Sequence, residues 1–342
     1  MHFARTEEQD ELATIVRGLL DKRSGSEAVR AAMASESGYD EALWQAMCEQ
    51  VGVAALPVPE EYDGFGASLV ETAIVLEELG RNLAPSPLLA TAIATGAVLA
   101  HADKMARHDL LPAICAGTVA TLAFGDPSRR LQRNLLRDRL VLDPTAGLLL
   151  RLDGGHLERL DEASVDVVGS VDQTLRLGRI SGEGTAIGTV EDARPVLDVA
   201  WALTSAVQVG TAQRGLDMTV AYSKERVQFG RPIGSFQALK HRMADMLVRA
   251  EASRSASWGA TAAAAAYVQE PTEQRAEILS RRAAVARSYC SDALDSIASE
   301  TVQLHGGIAI TWEHDAQLVF KRAHALSRLW EPAHVARGRL LP

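Results

Sequence analysis

One stretch of the chain, residues 219–247, concentrates side chains that could bind a ligand. It reads TVAYSKERVQFGRPIGSFQALKHRMADML, and its RPIG segment separates two helical runs, because proline cannot donate to a helix and glycine ends helices cheaply. Basic, amide and aromatic side chains crowd this corner: Arg226, Gln228, Phe229, Arg231, Phe236, Gln237, Lys240, His241 and Arg242. Such a local basic cluster can hold a phosphate. The plainer interpretation is a solvated, basic bend between two helices.

The spacing within residues 226–237, RVQFGRPIGSFQ, resembles the signature of the flavin-dependent acyl-CoA dehydrogenases. A second segment similar to that family is QLHGG at 303–307, and the loop LPVPEEYDGFG at 56–66 resembles the segment that leads into a helix of its N-terminal domain. The likeness covers nearly the whole chain. Arg226 and Gln237 alone would be typical surface residues, but together with Gln303 and the glycine pair they favour the family interpretation.

The resemblance implies a cofactor and the residues that contact it. In that family the corner crosses a subunit interface and meets the diphosphate and adenosine end of an FAD that the neighbouring subunit mainly holds. A fixed guanidinium fork suits a diphosphate, and an aromatic ring supplies a flat apolar wall. The cofactor-binding residues implied here are Arg226, Phe229, Gln237, Gln303, Gly306 and Gly307.

The loop that should hold this subunit's own flavin departs from the family pattern. The family has Thr-Glu-Pro followed by small residues, whereas this chain has FGDPSRRL at 124–131. Arg129, Arg130 and Leu131 would crowd a ligand that small residues normally approach closely. We therefore expect that this subunit's own flavin cradle is damaged.

The family reaction removes a proton from the carbon next to a thioester carbonyl while a hydride passes from the neighbouring carbon to the flavin, so it needs a carboxylate base. In WEPA at 330–333, Glu331 stands where the resemblance places that base, if one residue is inserted upstream. However, Pro332 and Ala333 replace the family's glycine and threonine, and a solvated surface glutamate is the alternative. Asp198 lies near the face that carries the base in other members.

Composition bounds the remaining possibilities. The 342 residues carry a net charge of -9 with 47% hydrophobic residues, which predicts a folded protein and argues against nucleic-acid binding. No segment has the length of a membrane span, and the acidic N-terminus is not typical of a signal peptide, so we expect a cytoplasmic protein. The histidines lack metal-ligand spacing. Buried thiols are expected at Cys48, Cys115 and Cys290.

Periodicity predicts a mainly α protein with a small β-domain, and the resemblance implies that these parts have the acyl-CoA dehydrogenase-like architecture. Three domains are predicted: a helical N-terminal domain at 1–117, a reduced, β-barrel-like middle domain at 118–192, and a four-helix bundle at 193–342. The bundle helices are expected at 196–224, 235–268, 273–304 and 313–329.

The leading hypothesis is a subunit of a heterotetrameric acyl-CoA dehydrogenase that supplies the cross-interface half of an FAD site. The resemblance to unequal pairs in actinobacteria implies a steroid side-chain acyl-CoA thioester, a second acyl-CoA dehydrogenase-like chain, and an electron-transfer acceptor. Two alternatives stay open at this point. One is a self-sufficient homotetramer with Glu331 as base, and the other is a flavin-free structural partner subunit.

Overall fold

The computed structural model describes residues 5–124, 140–329 and 331–341. Six helices form the N-terminal part: α1 (Glu7–Arg23), α2 (Ser26–Ala34), α3 (Glu41–Gln50), α4 (Leu69–Asn82), α5 (Leu88–His101) and α6 (Lys104–Cys115). No local signal in the sequence predicts α2, which is short and whose N-cap, Gly25, makes no side-chain hydrogen bond. At α4 the pattern predicts a capping box, and Ser68 and Glu71 form it. Most of α5 is buried, which places it in the core.

Five strands follow: β1 (Ala120–Phe124), β2 (Leu140–Leu142), β3 (Leu148–Asp153), β4 (His156–Val168) and β5 (Leu177–Thr189). They form one sheet in the order β1-β3-β4-β5-β2, in which only the β1–β3 pair is parallel. One face of the sheet joins the main core. The other covers a small apolar cluster of Ala123, Val141, Leu160 and Ile180.

The C-terminal part is a helical bundle, so the predicted fold class is confirmed. Its helices are α7 (Arg194–Glu225), α8 (Gln237–Gln269), α9 (Glu273–His305) and α10 (Ala316–Leu326), and a short α11 (Ala333–Gly338) follows. The fourth bundle helix is shorter than the sequence predicts, because Ala316 rather than Glu313 begins it and Leu326 ends it. The division into domains at 117/118 and 192/193 stays a prediction.

The long helix α7 joins the two helical parts through a crossing with α4. Gly80 of α4 and Gly210 of α7 lie where the two backbones meet. A methyl group on Gly80 would overlap the Val207 carbonyl oxygen, and one on Gly210 would overlap that of Glu77. Only glycine therefore permits this approach.

A buried arginine on α10 ties three distant segments together. Arg322 donates through Nε to Thr174 Oγ1 at 2.8 Å, and through Nη2 to the carbonyl oxygens of Leu83 and Ala84 at 3.1 and 3.3 Å. Asp172 supplies the neighbouring charge at 3.6 Å. The guanidinium thus donates to the free carbonyl oxygens at the C-terminal end of α4. It also holds the segment between β4 and β5 against α10.

The turn after β2 contains a buried carboxylate. Asp143 has a left-handed φ of 52° and is 9% exposed, and burial raises the pKa of its carboxyl group to about 7. Its backbone N–H donates to Arg176 O at 3.1 Å, and among the described residues its carboxylate has no ion-pair partner. The folded state therefore favours the protonated form of this side chain.

We expect Asp143→Asn to remove part of the pH dependence of stability. Because the folded pKa lies above the unfolded value, the wild type's free energy of unfolding falls as pH rises from about 4 to about 7, by about 2 to 4 kcal/mol from this group. Asparagine keeps the shape, tolerates the left-handed φ and cannot ionise. Urea unfolding at pH 5 and pH 8 measures the change. The matched control is Asp63→Asn, at an exposed left-handed aspartate; an unchanged pH 5 to pH 8 difference in Asp143→Asn would contradict the prediction.

Candidate functional site

The predicted corner between α7 and α8 is a small hairpin that points outward. Strands β6 (Val227–Gln228) and β7 (Arg231–Pro232) pair, and a short 3-10 turn leads into α8. Phe229 and Gly230, at its tip, have φ angles of 53° and 76°. Two consecutive positive φ angles are typical of the tightest hairpin turns. A phenylalanine at positive φ is unusual and costs backbone strain, which argues for a use of its side chain outside the fold.

The corner presents charged and aromatic groups to the surroundings of this chain. Phe229 is 93% exposed, and its ring meets Phe236 edge-on at 6.2 Å. The Arg231 guanidinium lies 4.1 Å from the centre of the Phe236 ring. Arg226 and Gln237 are exposed, and among the described residues neither side chain has a partner. The guanidinium of Arg226 is therefore free to meet an anion.

The second predicted segment lies at the end of α9. Gln303 is exposed, α9 ends at His305, and Gly306 follows with φ 67°. An added methyl group on Gly306 or Gly307 would meet nothing within 4 Å. Contacts within the chain therefore do not require glycine at either position. The positive φ explains a glycine at 306 but not at 307.

Ring stacking brings the two segments to one end of the bundle. Tyr222, one turn before Arg226, stacks on His305 at 4.6 Å, and the His314 ring contacts both, at 4.6 Å from His305 and 6.3 Å from Tyr222. Arg242 of α8 donates to Glu300 of α9 at 2.6 Å. The predicted residues of both segments thus share one surface. The sequence offered no pattern for Tyr222, whose role depends on a contact with a distant segment.

His305 itself is a packed residue, as the plainer interpretation holds. Its Nδ1–H donates to Thr301 O at 2.7 Å, and the ring is buried. Burial lowers the pKa of His305 and of His314, which keeps both rings neutral beside each other.

The candidate base lies in an ion-pair cluster away from this surface. Glu331 Oε2 accepts from Arg339 Nη2 at 3.3 Å, and Asp198 Oδ1 accepts from Arg339 Nη1 at 2.6 Å. The backbone oxygen of Glu331 accepts from Arg287 Nε at 2.9 Å. Burial raises the pKa of Asp198 to about 6 despite the pairing with Arg339. The two acidic candidates of the sequence analysis thus share one arginine.

Sequence reasoning missed both arginines of this cluster. Arg287 carried a usable signal, because it occupies a buried position among alanines and a cysteine on α9, where a charge must find partners. It donates to the carbonyl oxygens of Leu326 and Ser327 as well as to Glu331. Arg339 gave no such signal, since its neighbours in sequence are exposed.

The loop at 125–131, where the sequence analysis expects a damaged flavin cradle, lies outside the described residues, as does Trp330. No described helix has the combination of length and apolar character that a membrane crossing needs. Within the described ranges, the cysteines Cys48, Cys115 and Cys290 are free thiols; Cys290 is buried and the other two are half-buried.

The chemistry of the corner residues is compatible with a nucleotide cofactor such as FAD. An unpaired guanidinium matches a diphosphate, the amides of Gln237 and Gln303 can donate to nucleotide oxygens and nitrogens, and Phe229 offers an exposed ring face. The open space beside Gly306 and Gly307 allows close approach to the backbone. These groups suit a phosphate-bearing nucleotide that comes from outside the chain.

Comparisons with known proteins identify the family of this chain. Residues 6–118 match the family described as acyl-CoA dehydrogenase, N-terminal domain, and residues 190–331 match acyl-CoA dehydrogenase, C-terminal domain. The acyl-CoA dehydrogenase IpdE2 of Mycobacterium tuberculosis is 45% identical over 332 residues, covering 97% of this chain and 96% of that protein.

Two solved structures share the fold. One is the Tcur3481-Tcur3483 steroid ACAD G363A variant, with a TM-score of 0.83 and 27% identity over 98% of this chain and 96% of that one. The other is the ChsE4-ChsE5 complex from Mycobacterium tuberculosis, with a TM-score of 0.83 and 23% identity over 99% and 98%. The chain belongs to the acyl-CoA dehydrogenase family, oxidoreductases that act on CH–CH bonds.

Proposed function

We propose that this chain is one subunit of a heterotetrameric acyl-CoA dehydrogenase and supplies the cross-interface half of an FAD site. The observation that carries the proposal is the outward-pointing corner, where Arg226 and Gln237 have no described partner and Phe229 is almost fully exposed. Groups of this kind gain a function when a neighbouring chain brings a diphosphate to them.

Exposed apolar side chains near the corner support the presence of a neighbour. Val227 and Phe229 lie on the hairpin, Val248 lies on the exposed face of α8, and Ile310 follows the glycine pair; each is more than half exposed. Apolar groups gathered on one surface mark protein contacts more often than isolated ones do. A second acyl-CoA dehydrogenase-like chain would cover them as it brought its FAD to Arg226.

The chemistry proposed is the introduction of an α,β double bond into an acyl-CoA thioester. FAD, when bound, would accept the hydride. The part of this chain is to hold the diphosphate with Arg226, to offer the amides of Gln237 and Gln303 to the nucleotide, and to place the Phe229 ring beside it. The partner would supply the flavin loop and the base, since Glu331 is engaged with Arg339.

The relatives support a substrate class and an assembly. The similar structure at 27% identity is the Tcur3481-Tcur3483 steroid ACAD variant, whose name gives both a steroid-related enzyme and two chains. We propose a steroid-derived acyl-CoA thioester as substrate, an electron-transfer acceptor for the reduced cofactor, and the cytoplasm as the location.

Flavin content tests the proposal directly. We expect this chain, purified alone, to be nearly colourless, and the complex with its co-purifying partner to be yellow, with FAD measured by absorbance after denaturation. The sequence at 124–131 departs from the family's flavin loop, so in the chain alone the cross-interface contacts are expected to bind FAD weakly by themselves. Stoichiometric FAD in the chain alone would instead indicate a self-sufficient enzyme. If the Arg226→Ala substitution in this chain leaves the flavin content of the complex unchanged, the chain is a flavin-free structural subunit.

A further inference from the structure

One guanidinium near the C-terminus holds two carboxylates. Arg339 directs Nη1 to Asp198 at 2.6 Å and Nη2 to Glu331 at 3.3 Å, so the two sides of the planar fork each have an acceptor. Its central carbon lies 4.2 Å from the centre of the Trp201 ring. The arginine is therefore fixed by two ion pairs and an aromatic face, the geometry that distinguishes arginine from lysine.

The groups that it holds are withdrawn from water. Asp198 is 1% exposed, and Trp201, one turn further along α7, is fully buried. The Glu331 side chain is 14% exposed. Carboxylates at such depth need a partner, because an unpaired buried charge is costly.

The backbone of the same segment is held from the opposite side. Arg287, buried in α9, donates to the carbonyl oxygen of Glu331 at 2.9 Å. Ala336 of α11 is fully buried against the bundle. Glu331 is thus clamped twice, through its backbone by Arg287 and through its carboxylate by Arg339.

We propose that Arg339 is an internal latch that keeps the Glu331 carboxylate paired within this chain, beside the buried Asp198, so that Glu331 is not presented to a substrate carbon as a base. The inference rests on the proposed function, in which the partner supplies the base. It adds that Glu331 is held inactive by a contact within this chain. A general base needs an accessible lone pair, and the Glu331 side chain is 14% exposed with one oxygen already accepting from Arg339.

Carboxyl-directed labelling tests the latch without any measurement of turnover. Carbodiimide with glycine ethyl ester converts accessible carboxyl groups into amides, which peptide mass spectrometry quantifies at each residue. Labelling of Glu331 in the purified chain is expected to rise several-fold in Arg339→Gln. The matched control is Arg337→Gln on α11, two residues before Arg339, whose described partners are Asp292 and Ser288 rather than Glu331.

A second variant keeps the test valid if Arg339→Gln unfolds. Arg339→Lys retains a positive charge for Asp198 but has no fork to span both carboxylates. We expect it to keep a Tm close to that of the wild type and still to raise Glu331 labelling. Equal labelling of Glu331 in the wild type, Arg339→Gln and Arg339→Lys would overturn the latch.

The proposed function fails by a different measurement. In the complex with the partner chain, Glu331→Gln should leave turnover nearly intact. A loss of about 100-fold or more with FAD still bound would show that Glu331 is the working base and overturn the subunit assignment. The latch is supported when Glu331 labelling depends on Arg339 and turnover does not depend on Glu331.

Discussion

In a reconstituted complex, Arg226→Ala is expected to weaken FAD binding by about 10- to 100-fold. The guanidinium of Arg226 has no described partner within this chain, so its removal strands no internal group and leaves the fold intact. A charge-assisted hydrogen bond to a diphosphate is worth about 1.5 to 3 kcal/mol, which is one to two decades of affinity. Quenching of flavin fluorescence during titration of the apo complex measures the change.

Lys224→Ala is the control for general electrostatics. Lys224 is exposed on the last turn of α7, two residues before Arg226, and its removal changes the net charge by the same amount. A position-specific contact predicts a large effect for Arg226 and a small one for Lys224. Equal affinities of the wild type and Arg226→Ala would refute the role of the corner, and equal losses in both variants would indicate a diffuse field.

The second large effect is on stability. Gly210→Ala is expected to lower the free energy of unfolding by about 1 to 3 kcal/mol or more, because the new methyl group overlaps the Glu77 carbonyl oxygen and α4 and α7 must separate. Thr211, next in the chain, contributes its hydroxyl to the Gly80 carbonyl oxygen at 3.4 Å, and this contact would lengthen too. Urea unfolding followed by circular dichroism measures the loss.

A glycine-to-alanine substitution at an uncrowded helix position should instead raise the free energy of unfolding. Gly18 lies inside α1, and an added methyl group there would meet nothing within 4 Å. Gly18→Ala is therefore expected to stabilise the protein by up to about 1 kcal/mol, the helix-propensity difference between the two residues. Similar effects of the two substitutions would mean that the helices adjust without cost at the α4–α7 crossing.

Local signals determined much of what the sequence could predict. The capping box at Ser68, the proline and glycine of the corner, and the long helical periodicities each act within a few residues. They gave the positions of α4 and the three long bundle helices. Helix α2 was missed because its nine residues carry neither a side-chain cap nor a long periodic face.

Contacts between distant segments could not be predicted in the same way. The 13-residue strands β4 and β5 support each other through pairing, and their sequences are too polar to show a strand pattern along their full length. The arginine that pairs with both Asp198 and Glu331 is likewise distant in sequence, since Arg339 lies 141 residues after Asp198. Such a partnership is visible only once the fold brings the C-terminal segment back to the start of α7.

The junction at Arg322 has a consequence for biosynthesis. The carbonyl oxygen of Leu83 accepts a hydrogen bond from Arg322, which lies 239 residues further along the chain. At about 5 to 20 residues per second, roughly 10 to 50 s pass between the synthesis of the two. During that interval the carbonyl groups at the end of α4, and Asp172 once it is made, lack the Arg322 guanidinium. The nascent N-terminal helices therefore leave the ribosome with these polar groups unpaired by Arg322. Chaperones have most reason to act on this chain in that interval, before Arg322 is made.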